Sequence, residues 1–93
     1  MQRYFFHLSY SRDYIIDPDG GELPDLEAAK SEARQIAREL AAEALKAKRP
    51  FLLHSIRICG EDGSLLGDVP SQEALTEVIP SQLFKPSPPD SHV

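Results

Sequence analysis

The chain of 93 residues has no tryptophan, one methionine and a single cysteine, Cys59. One thiol excludes an internal disulfide, which suits a reducing compartment such as the cytoplasm. No apolar run approaches the ~20 residues that a membrane helix needs, so no membrane role is expected. His7 interrupts the apolar residues after Met1-Gln2-Arg3 and no small-residue cleavage site follows, so no secretory signal is read. Basic residues are few, 10 against 15 acidic, and the formal net charge is -5. An acidic chain repels phosphate backbones at long range, and nucleic acid is not an expected partner.

What is present suffices for one core. Hydrophobic residues make up 41% and charged residues 27%, the balance of a folded domain and not of a disordered chain. A domain this small buries only about 60% of its unfolded surface, so a partner would add materially to its stability. Charge is unevenly placed. Residues 1–24 hold two basic and four acidic groups, residues 25–49 six and five, and residues 50–93 two and six.

Tyr4, Phe6 and Leu8 alternate with Arg3, Phe5 and His7, the period of a strand with the first set turned to a core. Tyr14-Ile15-Ile16 follows after a short polar connection, and a hairpin is the economical reading. Asp17-Pro18-Asp19-Gly20-Gly21 reads as a turn. Asp25 is a good N-cap for the longest element. Leu26, Ala29, Ala33, Ile36, Ala37, Leu40 and Ala44 then recur every three or four residues and draw an apolar helical stripe. Lys46, Lys48 and Arg49 suit the helix C-terminus, and Pro50 forbids continuation.

Alternation resumes from Leu53 to Gly60, with His54, Ile56 and Ile58 on one face and Ser55, Arg57 and Cys59 on the other. The Asp62-Gly63 pair signals a hairpin. Leu65 and Leu66 start a fourth strand ending near Pro70, and Ser71 caps a short helix containing Ala74, Leu75, Val78 and Ile79. The order argues for an α+β domain: a four-stranded, mostly antiparallel sheet with one long helix across a face. The preferred strand order is 2-1-3-4, and 1-2-3-4 with a parallel middle pair stays open. Residues 1–79 are read as this single domain. Residues 80–93, with four of the eight prolines, are read as a disordered tail.

The opening Arg3-Tyr4-Phe5-Phe6-His7 resembles a family of short bacterial proteins catalogued as a domain of unknown function. So does Asp19-Gly20-Gly21-Glu22-Leu23-Pro24-Asp25-Leu26-Glu27-Ala28-Ala29, and Ile56-Arg57-Ile58 with its Glu61-Asp62-Gly63 turn is also similar. The resemblance implies no activity, ligand or catalytic residue.

Candidate chemistry is sparse. His7, with Cys59 or Asp17 nearby after folding, suggests a general base or metal ligand, against the plainer reading of a histidine packed on an open sheet face. Cys59 stands before an acidic turn, a poor setting for a nucleophile; a small, half-buried strand cysteine is the better reading. His54, on the face expected to meet the helix, reads as a partly buried structural histidine. A calcium loop around Asp17, Asp19 and Glu22 fails, because Ile15 and Leu26 fall at ligand positions that need carboxylates. Lys30, Arg34 and Arg38 form a basic line, a weak anion contact at most, since no aromatics interleave with it. No catalytic residue, metal or cofactor is assigned.

These residues favour a non-enzymatic, cytoplasmic interaction module that forms a homodimer through its sheet. One helix covers one face, and the other would show Phe5, with His7, Arg57 and Cys59 beside it. Another protein is a further partner to consider. The short helix or the Leu83-Phe84 pair could instead cover that face within the chain. The runner-up is a nucleic-acid-linked, antitoxin-like regulator using Lys30, Arg34 and Arg38, and an enzyme or metal site at His7 and Cys59 ranks last.

Overall fold

The computed structural model describes residues 1–78. In chain order the elements are β1 (Gln2–Tyr10), β2 (Tyr14–Ile15), β3 (Gly21–Leu23), α1 (Leu26–Ala47), β4 (Leu53–Cys59), β5 (Leu65–Pro70) and α2 (Ser71–Thr76). The sheet is antiparallel throughout, ordered β2-β1-β4-β5, with β3 also paired to β1. The α+β class and the 2-1-3-4 order agree with the sequence pattern. The strand count does not: there are five strands and not four. Both β2 and β3 lie along one edge of β1, pairing Ser9 with Tyr14 and Gln2 with Leu23. The segment read as a simple turn returns the chain to the same edge, through Gly20 at φ 71.

Asp25 caps α1 as expected, its side chain accepting the Ala28 N–H at 2.8 Å. The helix then runs 22 residues, about 33 Å at 1.5 Å per residue. Its buried face is almost wholly alanine: Ala29, Ala33, Ala37, Ala41 and Ala44. Small side chains let the helix backbone approach the sheet, and the bulk comes from the sheet itself. Tyr4, Phe6, Leu53, Ile56, Ile58 and Val69 fill the space beneath, while Leu26, Ile36 and Leu40 pack partly buried around it.

His54 departs from the expected alternation. The β1–β4 register shifts between Ser9 and Tyr10, pairing Ser9 with Ser55 and Tyr10 with Leu53. The skipped His54 is exposed and Leu53 takes the core position instead. A bulge of this kind re-aims one side chain without breaking the strand.

Both helices lie on the same face of the sheet. Ala74 of α2 is fully buried in the core cluster, and the Ser71 hydroxyl donates to the Leu53 carbonyl. The helix cap is Pro70 and not Ser71, because that hydroxyl is engaged across the chain. Val78 is exposed. Ile79 and the segment 80–93, with the expected domain limit, tail and Leu83-Phe84 cover, lie outside the described residues.

α1 ends with Lys48 in the left-handed region at φ 57, its N–H directed to the Ala44 and Leu45 carbonyls. A side chain there is strained, and glycine is the usual occupant. Lys48→Gly should therefore raise stability by about 0.5–1 kcal/mol, a melting-temperature gain of a few degrees. Thermal unfolding followed by circular dichroism checks it, and an unchanged or lowered midpoint would contradict the cap assignment.

Candidate functional site

The face opposite α1 and α2 carries nothing among the described residues. Gly67 fixes which side chains of β5 belong to it: a methyl group there would meet Lys30, Ile58 and Leu26, so Gly67 faces the helices. Its neighbour Asp68, in the regular part of the ladder, therefore points to the open side. The registers His7 to Arg57 and Arg57 to Asp68 set those three residues in one row across β1, β4 and β5. Phe5 pairs with Cys59 and Cys59 with Leu65, the β4–β5 register shifting at the unpaired Leu66. Ser9 pairs with Ser55 and Ser55 with Pro70 to make the third row.

Phe5, His7, Arg57 and Cys59 thus share one face, the grouping expected from strand phase. Phe5 is half-buried, not bare. Its ring is stacked with His7 at a centroid distance of 6.5 Å, and Tyr14 tilts against His7 at 5.9 Å. The backbone of Gly20 lies beneath the ring, where a methyl group would stand 2.9 Å from Phe5 and 2.8 Å from the Tyr4 carbonyl oxygen. Cys59 is buried beside Phe5.

Asp17 organises this edge. One carboxylate oxygen accepts the Phe6 N–H at 3.1 Å. The other accepts the N–H groups of Gly20 at 3.1 Å and Asp19 at 3.2 Å. The Asp17 N–H in turn donates to Nδ1 of His7 at 3.0 Å, which requires a bare Nδ1 and a proton on Nε2 of the neutral ring. Side chains thus replace the missing ladder between β2 and β3. Burial pushes the Asp17 carboxyl upward, but the Phe6, Gly20 and Asp19 N–H groups together hold it below its ordinary value. The sequence places Asp17 near His7, and its structural role has a visible signal in the Asp-Pro-Asp-Gly string, whose first residue readily bonds backbone two or three residues on.

The basic line on α1 is otherwise engaged. Arg34 and Arg38 both reach Glu77, at 3.2 and 2.8 Å, and Arg38 also donates to the Ala74 carbonyl at 3.4 Å. They clamp α2 onto α1. Lys30 stands 3.9 Å from Glu27, with its stem against β5 at Gly67. Among the described residues no three His, Cys, Asp or Glu side chains gather as a metal-binding set, and no helix is long and apolar enough to cross a membrane.

Residues 3–72 match the family model of a domain of unknown function, DUF6894. No curated protein and no solved structure matches the chain.

Two outcomes test this edge. Asp17→Asn turns one acceptor oxygen into a donor facing an N–H, and should lower stability by about 1–2 kcal/mol. The folded carboxyl lies below the ordinary 3.8, so its contribution is present above that pH and fades as pH falls through the folded value. The gap between wild type and Asp17→Asn in urea titrations should therefore narrow below about pH 3.8; a constant gap would remove the carboxylate from the account. Gly20→Ala meets both a positive φ and a backbone oxygen that cannot retreat, and should cost about 1–3 kcal/mol. A near-neutral Gly20→Ala would mean that the loop packs less closely on Phe5.

Proposed function

We propose that this chain, which belongs to the DUF6894 family of domains of unknown function, is a non-enzymatic interaction module that self-associates through the uncovered face of its sheet. The observation that carries the reading is the position of α2. With α1 and α2 on one side, the opposite side of β1, β4 and β5 is left uncovered among the described residues, with Phe5 paired to Cys59 on it. Apolar side chains on an open sheet face mark a contact surface more often than a solvated one. A second copy related by a twofold axis is the commonest partner for a soluble chain. The single thiol and the resemblance of the Arg3–His7 strand to short bacterial proteins support a bacterial cytoplasm as the setting.

A second reading, a nucleic-acid-linked and antitoxin-like regulator, is favoured by one feature. Phe5, His7 and Tyr14 stand in a row on an open sheet, where unpaired bases can stack. The acidic balance of the chain opposes it, and so does the engagement of Arg34 and Arg38 by Glu77.

Sedimentation velocity from low to high micromolar concentration decides between them. The expected result is a concentration-dependent dimer in the wild type and a monomer for Phe5→Ser, whose half-buried ring should tolerate the change well enough to keep the chain folded. A wild type that remains monomeric throughout would overturn self-association. Salt-sensitive retention of that monomer on immobilised single-stranded RNA would favour the second reading.

A further inference from the structure

The charges on the open face discriminate among twofold arrangements of two copies whose axis runs parallel to the strands. Arg57 and Asp68 are direct cross-strand neighbours on β4 and β5. Neither has an ion pair within 4.0 Å among the described residues, where the four salt bridges involve Arg3, Lys30, Arg34 and Arg38. Arg57 is half-buried and Asp68 exposed. Each is available to a partner lying over the sheet.

A twofold axis that stacks two sheets face to face lies in the plane between them. When it runs parallel to the strands, every row of side chains meets the same row of the second copy. Its lateral position then decides which charges meet. An axis over β4 sets Arg57 against Arg57 of the partner subunit, a like-charge contact. An axis between β1 and β4 sets Arg57 over His7 of the partner subunit and leaves Asp68 over the outer edge of the partner's β1, so no opposite charges meet. An axis midway between β4 and β5 sets Arg57 over Asp68 of the partner subunit, and by symmetry Asp68 over Arg57 of the partner subunit. Two opposite-charge contacts form at once.

We infer that the self-association proposed above, on which this inference rests, uses an axis running between β4 and β5, with reciprocal Arg57–Asp68 ion pairs between the two copies. The same operation carries Phe5 over the outer edge of the partner's β5, where its ring is covered on the side that faces away from Gly20. Strands about 4.8 Å apart make this overlap only a few strands wide. So small a contact falls at the low end of specific interfaces, where association is weak and reversible.

Charge exchange tests the axis on the full chain. Arg57→Asp and Asp68→Arg should each weaken dimerisation about 100-fold or more, since each creates two like-charge contacts. The double variant exchanges the charges and should return to within several-fold of wild type. The neutral Arg57→Gln and Asp68→Asn variants put no like charges side by side within a chain, and should weaken association about tenfold each even if a reversal fails to fold. Dilute circular dichroism melts confirm that the compared chains are folded. If the wild type dimerises and Phe5→Ser abolishes it, but charge reversals and neutral variants dimerise normally, the axis is wrong and the face is right. If Phe5→Ser also dimerises normally, another surface is used and both readings fall.

Discussion

The outer edge of β1 is held by one carboxylate between the two short strands that pair with it. Three backbone N–H groups, from Phe6, Asp19 and Gly20, converge on Asp17, whose own N–H is fixed by His7. Without these bonds the middle of β1 would present unpaired backbone at a partly buried edge, a costly arrangement. The turn they define delivers Gly20 under Phe5 and starts β3 in register with Gln2–Tyr4. The placement of Phe5, His7 and Tyr14 on the open face therefore depends on a residue that contributes no surface to that face. The interruption also guards the edge, since a strand split around a side-chain-bonded turn is a poor template for unwanted pairing.

The opposite face is arranged by a different constraint. A helix whose buried positions are alanine can lie close to a sheet only if the sheet supplies the volume, as Tyr4, Phe6, Ile56 and Ile58 do. This division assigns the large even-numbered residues of β1 to the core and leaves Phe5 and His7 for the other side. The Glu77 clamp on Arg34 and Arg38 then holds α2 beside α1. Closure of one face, and the absence of a cover on the other among the described residues, are thus two results of a single packing choice.

Much of this was legible from residue patterns. Strand phase separates Tyr4 and Phe6 from Phe5 and His7, the three-four spacing marks α1, and Asp25 marks its start. The grouping of Phe5, His7, Arg57 and Cys59 follows from alternation together with antiparallel order. What escaped has common physical causes. β3 is three residues long, too short for periodicity to show, and its pairing is set by Asp17 rather than by its own side chains. Alternation puts His54 on the core face because it assumes an unbroken strand, and the bulge opposite Ser9 and Tyr10 has no marker in composition. The Arg34 and Arg38 line resembles an anion contact in one dimension; Glu77, some forty residues away, is brought to it only by the fold.

The distribution of charge bears on what the open face can accept. The chain carries a net -5, so two copies repel at a distance, and steering cannot bring them together. Attraction must arise at contact, from side chains that are complementary on a short scale. The three-residue row of His7, Arg57 and Asp68 has this property, because one cation and one anion stand side by side on β4 and the edge strand β5. An acidic partner would meet Asp68 unfavourably, and a basic partner would leave Arg57 facing a like charge. A surface with the same alternation satisfies both groups, and a second copy turned about an axis between β4 and β5 is such a surface. In the association proposed above, long-range repulsion would limit its strength, while the local pair of opposite charges would specify its geometry.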